Sequence, residues 1–291
     1  MGDANIPSGR RGVCRLADIS ESVRQLLSAG GTETANWTEW MATDMPTLAR
    51  AVAHATVHRR LKSVLLTAAD EVVGERILTR LGILGRMISS AVGSFEDPAF
   101  KEIATHRSDV VRQWGAYAVN DKDRTLTLAQ RLSLTLPFAA DHHMSVRECA
   151  WMAFRPHLIA RLEEGLLLLE SVTRAEDANL RRFAIEVTRP RSVWGSHITA
   201  LKRTPGNAVA LLDNVHQDSS RYVRLAAGNW LNDASKSRPD WVRELCSRWS
   251  KSESKHTKAI IRRGLRTIAR LERSTMKNTF VDLDEYVSAG R

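Results

Sequence analysis

Asp233 stands where a carboxylate stabilises a helix least. The apolar residues from Val223 to Trp230 recur at helical spacing and predict a helix that ends near Asp233. Polar residues 235–237 then predict a turn, and Pro239 sits where a new helix would begin. Negative charge at a helix C-terminus opposes the macrodipole. We therefore expect Asp233 to serve chemistry rather than stability.

Two further carboxylates lie in segments that are rich in arginine. Glu148 directly follows Arg147, and Glu186 precedes Arg189 by three residues. Carboxylates weaken a surface made only to hold a polyanion, so acidic side chains on such a surface indicate catalysis or a cationic ligand. The alternative for Glu148, Glu186 and Asp233 is a structural ion pair with a neighbouring arginine.

Other catalytic and metal-binding patterns are poorly supported by the sequence. It contains no phosphate-binding glycine loop and no serine nucleophile elbow. His142 and His143 are adjacent rather than one helical turn apart, and the three cysteines are scattered. We therefore expect no metal, no disulfide and no cofactor. Unpaired cysteines suit a reducing cytoplasm, and no apolar run reaches the length of a membrane span or forms a secretory signal.

The net charge of the chain favours a polyanionic partner. Its 291 residues include 43 lysines and arginines against 33 aspartates and glutamates, a formal net charge of +10. Charge together with arginine placement favours nucleic acid. A basic protein with no nucleic-acid role is the alternative.

A repeated motif organises the sequence. An apolar residue, arginine, two variable residues, alanine and then Arg-Pro occur over residues 146–156 and again over 180–190, a spacing of 34 residues. The opening recurs at 111–112 and 223–224, and more weakly at 261–262. Since the apolar period is helical, a repeat of this length predicts an all-α curved solenoid of HEAT-like repeats. A helical bundle with chance similarity is the alternative.

The repeat also predicts local boundaries. Its small residue lets neighbouring helices approach, and each proline of the Arg-Pro pair should end its helix. Periodicity predicts helical segments over residues 19–27, 34–58 and 61–88. We expect a disordered N-terminus over 1–12, a single repeat domain over 13–273 and a short solvated tail over 274–291.

Equivalent side chains of successive repeats line one face of a solenoid. Arg147, Arg181 and Arg224 are equivalent, as are Arg155 and Arg189. They form either a basic stripe along a phosphate backbone or inter-repeat salt bridges, and different members can do each. The predicted phosphate contacts are Arg147, Arg155, Arg189, Arg191, Lys202, Arg203 and Lys236.

Three segments carry a specific pattern: residues 146–157 (VRECAWMAFRPH), 181–194 (RRFAIEVTRPRSVW), and 222–223 (YV) with 229–236 (NWLNDASK). They resemble the AlkC branch of the AlkC/AlkD family, bacterial DNA glycosylases built from HEAT-like repeats. The resemblance is close from about residue 140 to 270 and weaker before it. Cys149 and the Ser192-Val193 pair depart from the family pattern.

The resemblance implies a monomeric bacterial enzyme, associated with the nucleoid, that acts on double-stranded DNA with alkylated bases. It also implies that Glu148, Glu186 and Asp233 are active-site carboxylates and that Trp194 lies beside the lesion. Trp151 and Trp230 are weaker candidates for a lesion contact, with core packing as their alternative.

The implied chemistry follows from the lesion. A purine alkylated at N3 or N7 is cationic and already a good leaving group. Breaking its N-glycosidic bond builds oxocarbenium character on the sugar, which a fixed carboxylate stabilises while it orients or deprotonates water. We assign this role to Asp233. A non-catalytic binder of alkylated DNA and a HEAT-type protein-interaction module remain the alternatives.

Overall fold

The computed structural model describes residues 10–273 of the protein. This part of the chain is mostly helical and holds no β-strand, which confirms the all-α prediction. Its contacts divide into two compact units, with the division between His157 and Leu158. The single repeat domain over 13–273 stays a prediction. Residues 1–9 of the predicted disordered N-terminus and the whole predicted tail lie outside the described residues, whereas Arg10 is placed and pairs with Glu39.

The first unit is built from helices that pack on helices one or two places away in the chain. Tight packing of α5 on α7 depends on Gly85, because a Cβ there would lie 2.5 Å from the Cβ of Tyr117. The helices are α1 (Glu21–Ser28), α2 (Trp37–Ala42), α3 (Met45–Ala55), α4 (Arg59–Glu71), α5 (Ile77–Ala91), α6 (Pro98–Ala104), α7 (Asp109–Val119), α8 (Leu128–Ala139) and α9 (Met144–Ala160).

Two predicted helical segments of this unit are each broken in two. The segment 34–58 contains α2 and α3, because Asp44 caps a new helix by accepting a hydrogen bond from Thr47 N at 3.2 Å. The segment 61–88 is interrupted at Gly74, whose φ of 78° belongs to the left-handed region that favours glycine.

Pro156 does not end its helix, contrary to the sequence prediction. Helix α9 continues through Pro156 to Ala160. Phe154 and Leu158, on either side of the proline, are fully buried. We attribute the continuation to this packing, which outweighs a proline penalty of about 3 kcal/mol. Pro190, in contrast, follows the end of its helix at Val187 as predicted.

The second unit is a stack of helix pairs. Each of α10, α13 and α15 precedes the helix it pairs with, and the partners α11, α14 and α16 pack on one another in that order. A Cβ on Gly264 would lie 2.8 Å from Leu231 Cβ, so α14 and α16 approach closely. The helices are α10 (Leu162–Val172), α11 (Ala178–Val187), α12 (Thr199–Arg203), α13 (Val209–Val215), α14 (Arg221–Ser235), α15 (Pro239–Ser250) and α16 (Lys255–Gly264), followed by helical residues 266–273.

The repeated arginine has the same contacts in each repeat. It lies at the fourth position of its helix, and its Nη1 donates to backbone carbonyls five and six residues earlier, in the preceding loop. In α11, for example, Arg181 Nη1 lies 2.9 Å from Ala175 O and 2.6 Å from Glu176 O. The four arginines are Arg112, Arg147, Arg181 and Arg224.

The weakest repeat was aligned one turn too late by sequence. Arg262 lies at the eighth position of α16, because this helix begins at Lys255. Lys258 occupies the fourth position, where the other repeats have arginine. The apolar-basic pair at 261–262 is therefore part of the helix body and not a repeat opening.

Candidate functional site

Asp233 and Glu186 meet at one guanidinium in the second unit. Arg189 donates to Asp233 Oδ2 through Nε and Nη2, at 2.8 and 2.7 Å, and to Glu186 Oε1 through Nη1 at 2.6 Å. Lys236 Nζ lies 3.2 Å from Asp233 Oδ1, and Arg182 Nη2 lies 3.5 Å from Glu186 Oε2. We call these five residues the carboxylate cluster.

Two packed helices position the carboxylate cluster. Glu186 lies in the last turn of α11 and Asp233 in the last turn of α14, and these two helices pack together. Trp230, one turn before Asp233, donates from Nε1 to Thr188 O at 3.0 Å. This bond ties the residue before Arg189 to α14. The predicted turn after Asp233 and the start of α15 at Pro239 are confirmed.

The carboxylates are buried and electrostatically compensated. Asp233 is 4% exposed and Glu186 6% exposed. Burial by itself lowers the pKa of Arg189, but the charges of Glu186 and Asp233 outweigh it and raise that pKa above its ordinary value. Arg189 therefore stays charged, and the ion pair that the sequence left open as an alternative is present at both carboxylates.

The three candidate tryptophans occupy different environments. Trp230 is fully buried and bonded to Thr188, which is the core-packing alternative. Trp151 is also buried, and its Nε1 donates to Glu148 Oε2 at 2.7 Å within α9 of the first unit. Trp194 is 43% exposed, in the loop between α11 and α12. Of the three, Trp194 alone is exposed.

The predicted phosphate contacts also differ in their burial and in their hydrogen-bond partners. Arg155 is 1% exposed, so a phosphate cannot reach it without unfolding α9, and we withdraw it as a DNA contact. Arg147 holds the carbonyls of Asp141 and His142. Arg191 donates to Asp233 O at 3.3 Å and to Ser237 Oγ at 2.8 Å.

Three of the predicted phosphate contacts keep solvent access. Lys202 is half-buried and Arg203 is exposed, both on α12. The Lys236 side chain is 41% exposed although its ammonium contacts Asp233. These three, with Arg191, remain the proposed phosphate contacts of this unit.

Sequence reasoning placed Arg189 among the phosphate contacts and kept an ion pair with a neighbouring arginine as the alternative for each carboxylate. It missed that the single guanidinium of Arg189 joins both carboxylates, although the Glu186–Arg189 spacing of three residues was a readable signal for one of the two contacts. Arg182 was missed as well; its guanidinium carbon lies 4.8 Å from the ring centroid of Tyr222, beside Glu186. Among the described residues, no group of three or more His, Cys, Asp or Glu side chains could hold a metal ion. No helix in this part of the chain is long and apolar enough to span a membrane.

The stacked helix pairs define a helical-repeat protein with a buried acid-base cluster at one set of helix ends. The sequence matches the family model described as DNA alkylation repair enzyme over residues 113–268, more than half of the chain. The chain belongs to this family, which confirms the AlkC/AlkD resemblance; the AlkC branch itself stays a prediction.

Individual relatives agree with this assignment. The uncharacterised protein YhaZ of Bacillus subtilis is 36% identical over 116 residues, 40% of this chain and 32% of that protein. Among solved structures, the Pseudomonas fluorescens alkylpurine DNA glycosylase AlkC, bound to DNA with an abasic site analogue, is similar with a TM-score of 0.63 and 20% identity.

The aligned parts have unequal lengths. The AlkC match covers 89% of this chain and 66% of that one, which is just under two thirds of AlkC. The match with YhaZ covers about a third of that protein. AlkD2 from Streptococcus mutans is similar with a TM-score of 0.54 and 21% identity, covering 70% of this chain and 96% of that chain. At these identities the solved structures support the fold of helical repeats.

Proposed function

We propose that this protein is a DNA glycosylase that hydrolyses the N-glycosidic bond of purines made cationic by alkylation at N3 or N7. Family membership supports a role in repair of alkylated DNA. The net charge of +10 supports a DNA partner. The observation that carries the proposal is the buried pair of carboxylates, Asp233 and Glu186, held by Arg189 within the family-matched stretch.

Asp233 is the proposed catalytic carboxylate. A cationic base needs no strong acid to leave, so the main demand is to stabilise positive charge that develops on the sugar. An ionised, fixed carboxylate in a low-dielectric environment does this without reorganising during the reaction. Arg189 and Lys236 orient Asp233 through their contacts with its two carboxylate oxygens, and the second carboxylate, Glu186, adds negative potential at the same guanidinium.

Trp194 is the proposed contact for the cationic base. Trp194 is an exposed residue in the loop between α11 and α12, three residues after Arg191. The face of an indole attracts a cation by about 0.5 to 2 kcal/mol. This attraction favours an alkylated base over an unmodified one, because only the alkylated base carries the charge.

Replacing Asp233 by Asn tests the proposal. The change keeps the side-chain shape and removes the charge, so we expect single-turnover excision of methylated purines to fall by about 100-fold or more. Chromatography of bases released from methylated duplex DNA measures it. The matched control is Asp240→Asn, which removes the same charge from a side chain that is 95% exposed on α15.

The outcomes separate the competing functions. Excision by the wild-type protein and by Asp240→Asn, but not by Asp233→Asn, supports the proposal. Retention of alkylated DNA without base release by the wild-type protein would identify a non-catalytic binder. A HEAT-type interaction module would show neither, and full activity of Asp233→Asn would transfer the catalytic role to Glu186.

A further inference from the structure

Helix α16 and the helical residues 266–273 that follow it carry a row of cations along one exposed face. From Lys255 to Leu271 the sequence contains no aspartate or glutamate. Five basic residues of this stretch, and Arg273 just after Glu272, recur at intervals of three and four, which places them on one side of a helix. These six are exposed: Lys255, Lys258, Arg262, Arg266, Arg270 and Arg273, whereas Arg263 lies off the row and is half-buried.

The opposite face of the same helix is its packing face. Thr257, Ile260, Gly264 and Ile268 are buried and follow the same interval pattern, shifted around the helix. Hydrogen bonds from Leu265 N to Ile261 O and onward carry the helical path across the turn between α16 and residues 266–273. The cationic row is therefore one continuous ridge, which we call the basic ridge.

The basic ridge destabilises the helix that bears it. Like charges four residues apart, such as Arg262 and Arg266, cost about 0.2 to 0.5 kcal/mol per pair. None of the six cations has an ion-pair partner among the described residues. A row of like charges without an ion-pair partner in the described part of the chain favours a polyanionic partner.

The basic ridge belongs to a helix that adjoins the carboxylate cluster. Arg263 Nε donates to Asn229 Oδ1 at 2.8 Å, and Thr267 Oγ1 donates to Asn232 Oδ1 at 2.9 Å. Asn232 directly precedes Asp233 on α14. Burial lowers the pKa of Arg263, and the nearby positive charges of Arg266, Arg189 and Arg221 lower it further. Arg263 therefore lies in the positive potential of both the ridge and the cluster.

We propose that the basic ridge binds the phosphate backbone of the DNA duplex that flanks the base held at the carboxylate cluster. The proposal rests on the proposed function for its choice of DNA. The ridge is about 27 Å long at 1.5 Å per residue, the axial length of roughly eight phosphates of one strand. Because a straight helix leaves a curved strand after a few phosphates, about three contacts are expected at once.

Neutralising the middle of the ridge tests the proposal. The variant Lys258→Gln, Arg262→Gln, Arg266→Gln keeps residues with similar helix propensity. We expect affinity for undamaged duplex DNA to fall by about tenfold or more, and the slope of log affinity against log salt to fall by roughly 2 to 3 units. The melting temperature should hold or rise, since the Arg262–Arg266 repulsion is gone.

A second triple variant controls for net charge. Arg59→Gln, Arg60→Gln, Arg76→Gln removes three exposed cations from helix starts of the first unit. An equal loss of affinity and slope in both variants would show a general charge effect and overturn the ridge as a site. An unchanged slope in the ridge variant would also overturn it.

The binding test is independent of catalysis. A wild-type protein that binds through the ridge but releases no base would reject the glycosylase and keep the ridge. A protein that releases base, with a ridge variant that binds as the wild type does, would keep the glycosylase and reject the ridge.

Discussion

Arg189 is the residue on which the candidate site depends. It joins Glu186, three residues before it, to Asp233, 44 residues after it. The contact with Glu186 could be read from helical spacing. The contact with Asp233 could not, because it depends on how α11 packs against α14. Placement of Asp233 at a helix end was predicted correctly, whereas its burial and its shared partner came only from the structure.

Removing Arg189 should therefore cost more than an ordinary hydrogen bond. Arg189→Met leaves two buried carboxylates without their shared cation. We expect the free energy of unfolding to fall by about 3 kcal/mol, the low end for breaking a buried pair, because Arg189 keeps some solvent contact. Urea denaturation measures the loss.

A neighbouring arginine provides the comparison for this variant. Arg191→Met loses bonds to a backbone carbonyl and to a hydroxyl but no carboxylate contact, so about 1 kcal/mol is expected. Adding Asp233→Asn to Arg189→Met should recover part of the stability, since it removes a buried charge that has lost one of its two cationic partners. Equal losses for Arg189→Met and Arg191→Met would contradict the compensating role of Arg189.

At the scale of helices, the repeated arginine fastens each helix start to the loop before it. Spacing identified Arg112, Arg147, Arg181 and Arg224 as equivalent, and this part of the prediction holds. Their carbonyl contacts could not be predicted, because they depend on the loop path before the helix. Arg112 and Arg181 also reach the next repeat: Arg112 binds Asp141 at 2.8 Å, and Arg181 binds Asp218 at 2.6 Å.

Arg181 and Arg224 differ in a way that makes a controlled experiment. Both donate to two loop carbonyls, but Arg181 also makes a two-point contact with the buried carboxylate of Asp218. Arg181→Gln should therefore destabilise the protein by about 1.5 to 3 kcal/mol more than Arg224→Gln, the value of charge-assisted hydrogen bonds. Thermal unfolding of both variants measures the difference.

The same pair of variants separates an inter-repeat tie from a DNA contact. If Arg181 is an inter-repeat tie, Arg181→Gln should leave the salt slope of DNA binding unchanged. A slope lowered by about 0.9, with stability unchanged, would instead assign Arg181 to a phosphate.

On the scale of the whole chain, two kinds of charge serve different purposes. The chain has a net charge of +10, and the cations of the basic ridge are exposed. Salt therefore screens the interactions of the ridge with a partner. The carboxylate cluster is buried, so its internal interactions are screened far less. Composition alone predicted the net charge, whereas the basic ridge was not among the sequence predictions. The carboxylate cluster required the fold, since a sequence does not show which acids are buried.

Salt should therefore change binding and catalysis unequally. Between about 50 and 200 mM salt, the dissociation constant for methylated duplex DNA should rise steeply, as counterion release requires. The excision rate at saturating protein in single turnovers should change by less than about twofold, because the charge that stabilises the transition state is buried. In the ridge variant the dissociation constant should depend less on salt, while this saturated rate stays at the wild-type value. A saturated rate that falls with salt in parallel with affinity would mean that surface cations take part in the chemical step, and the separation between ridge and cluster would then be wrong.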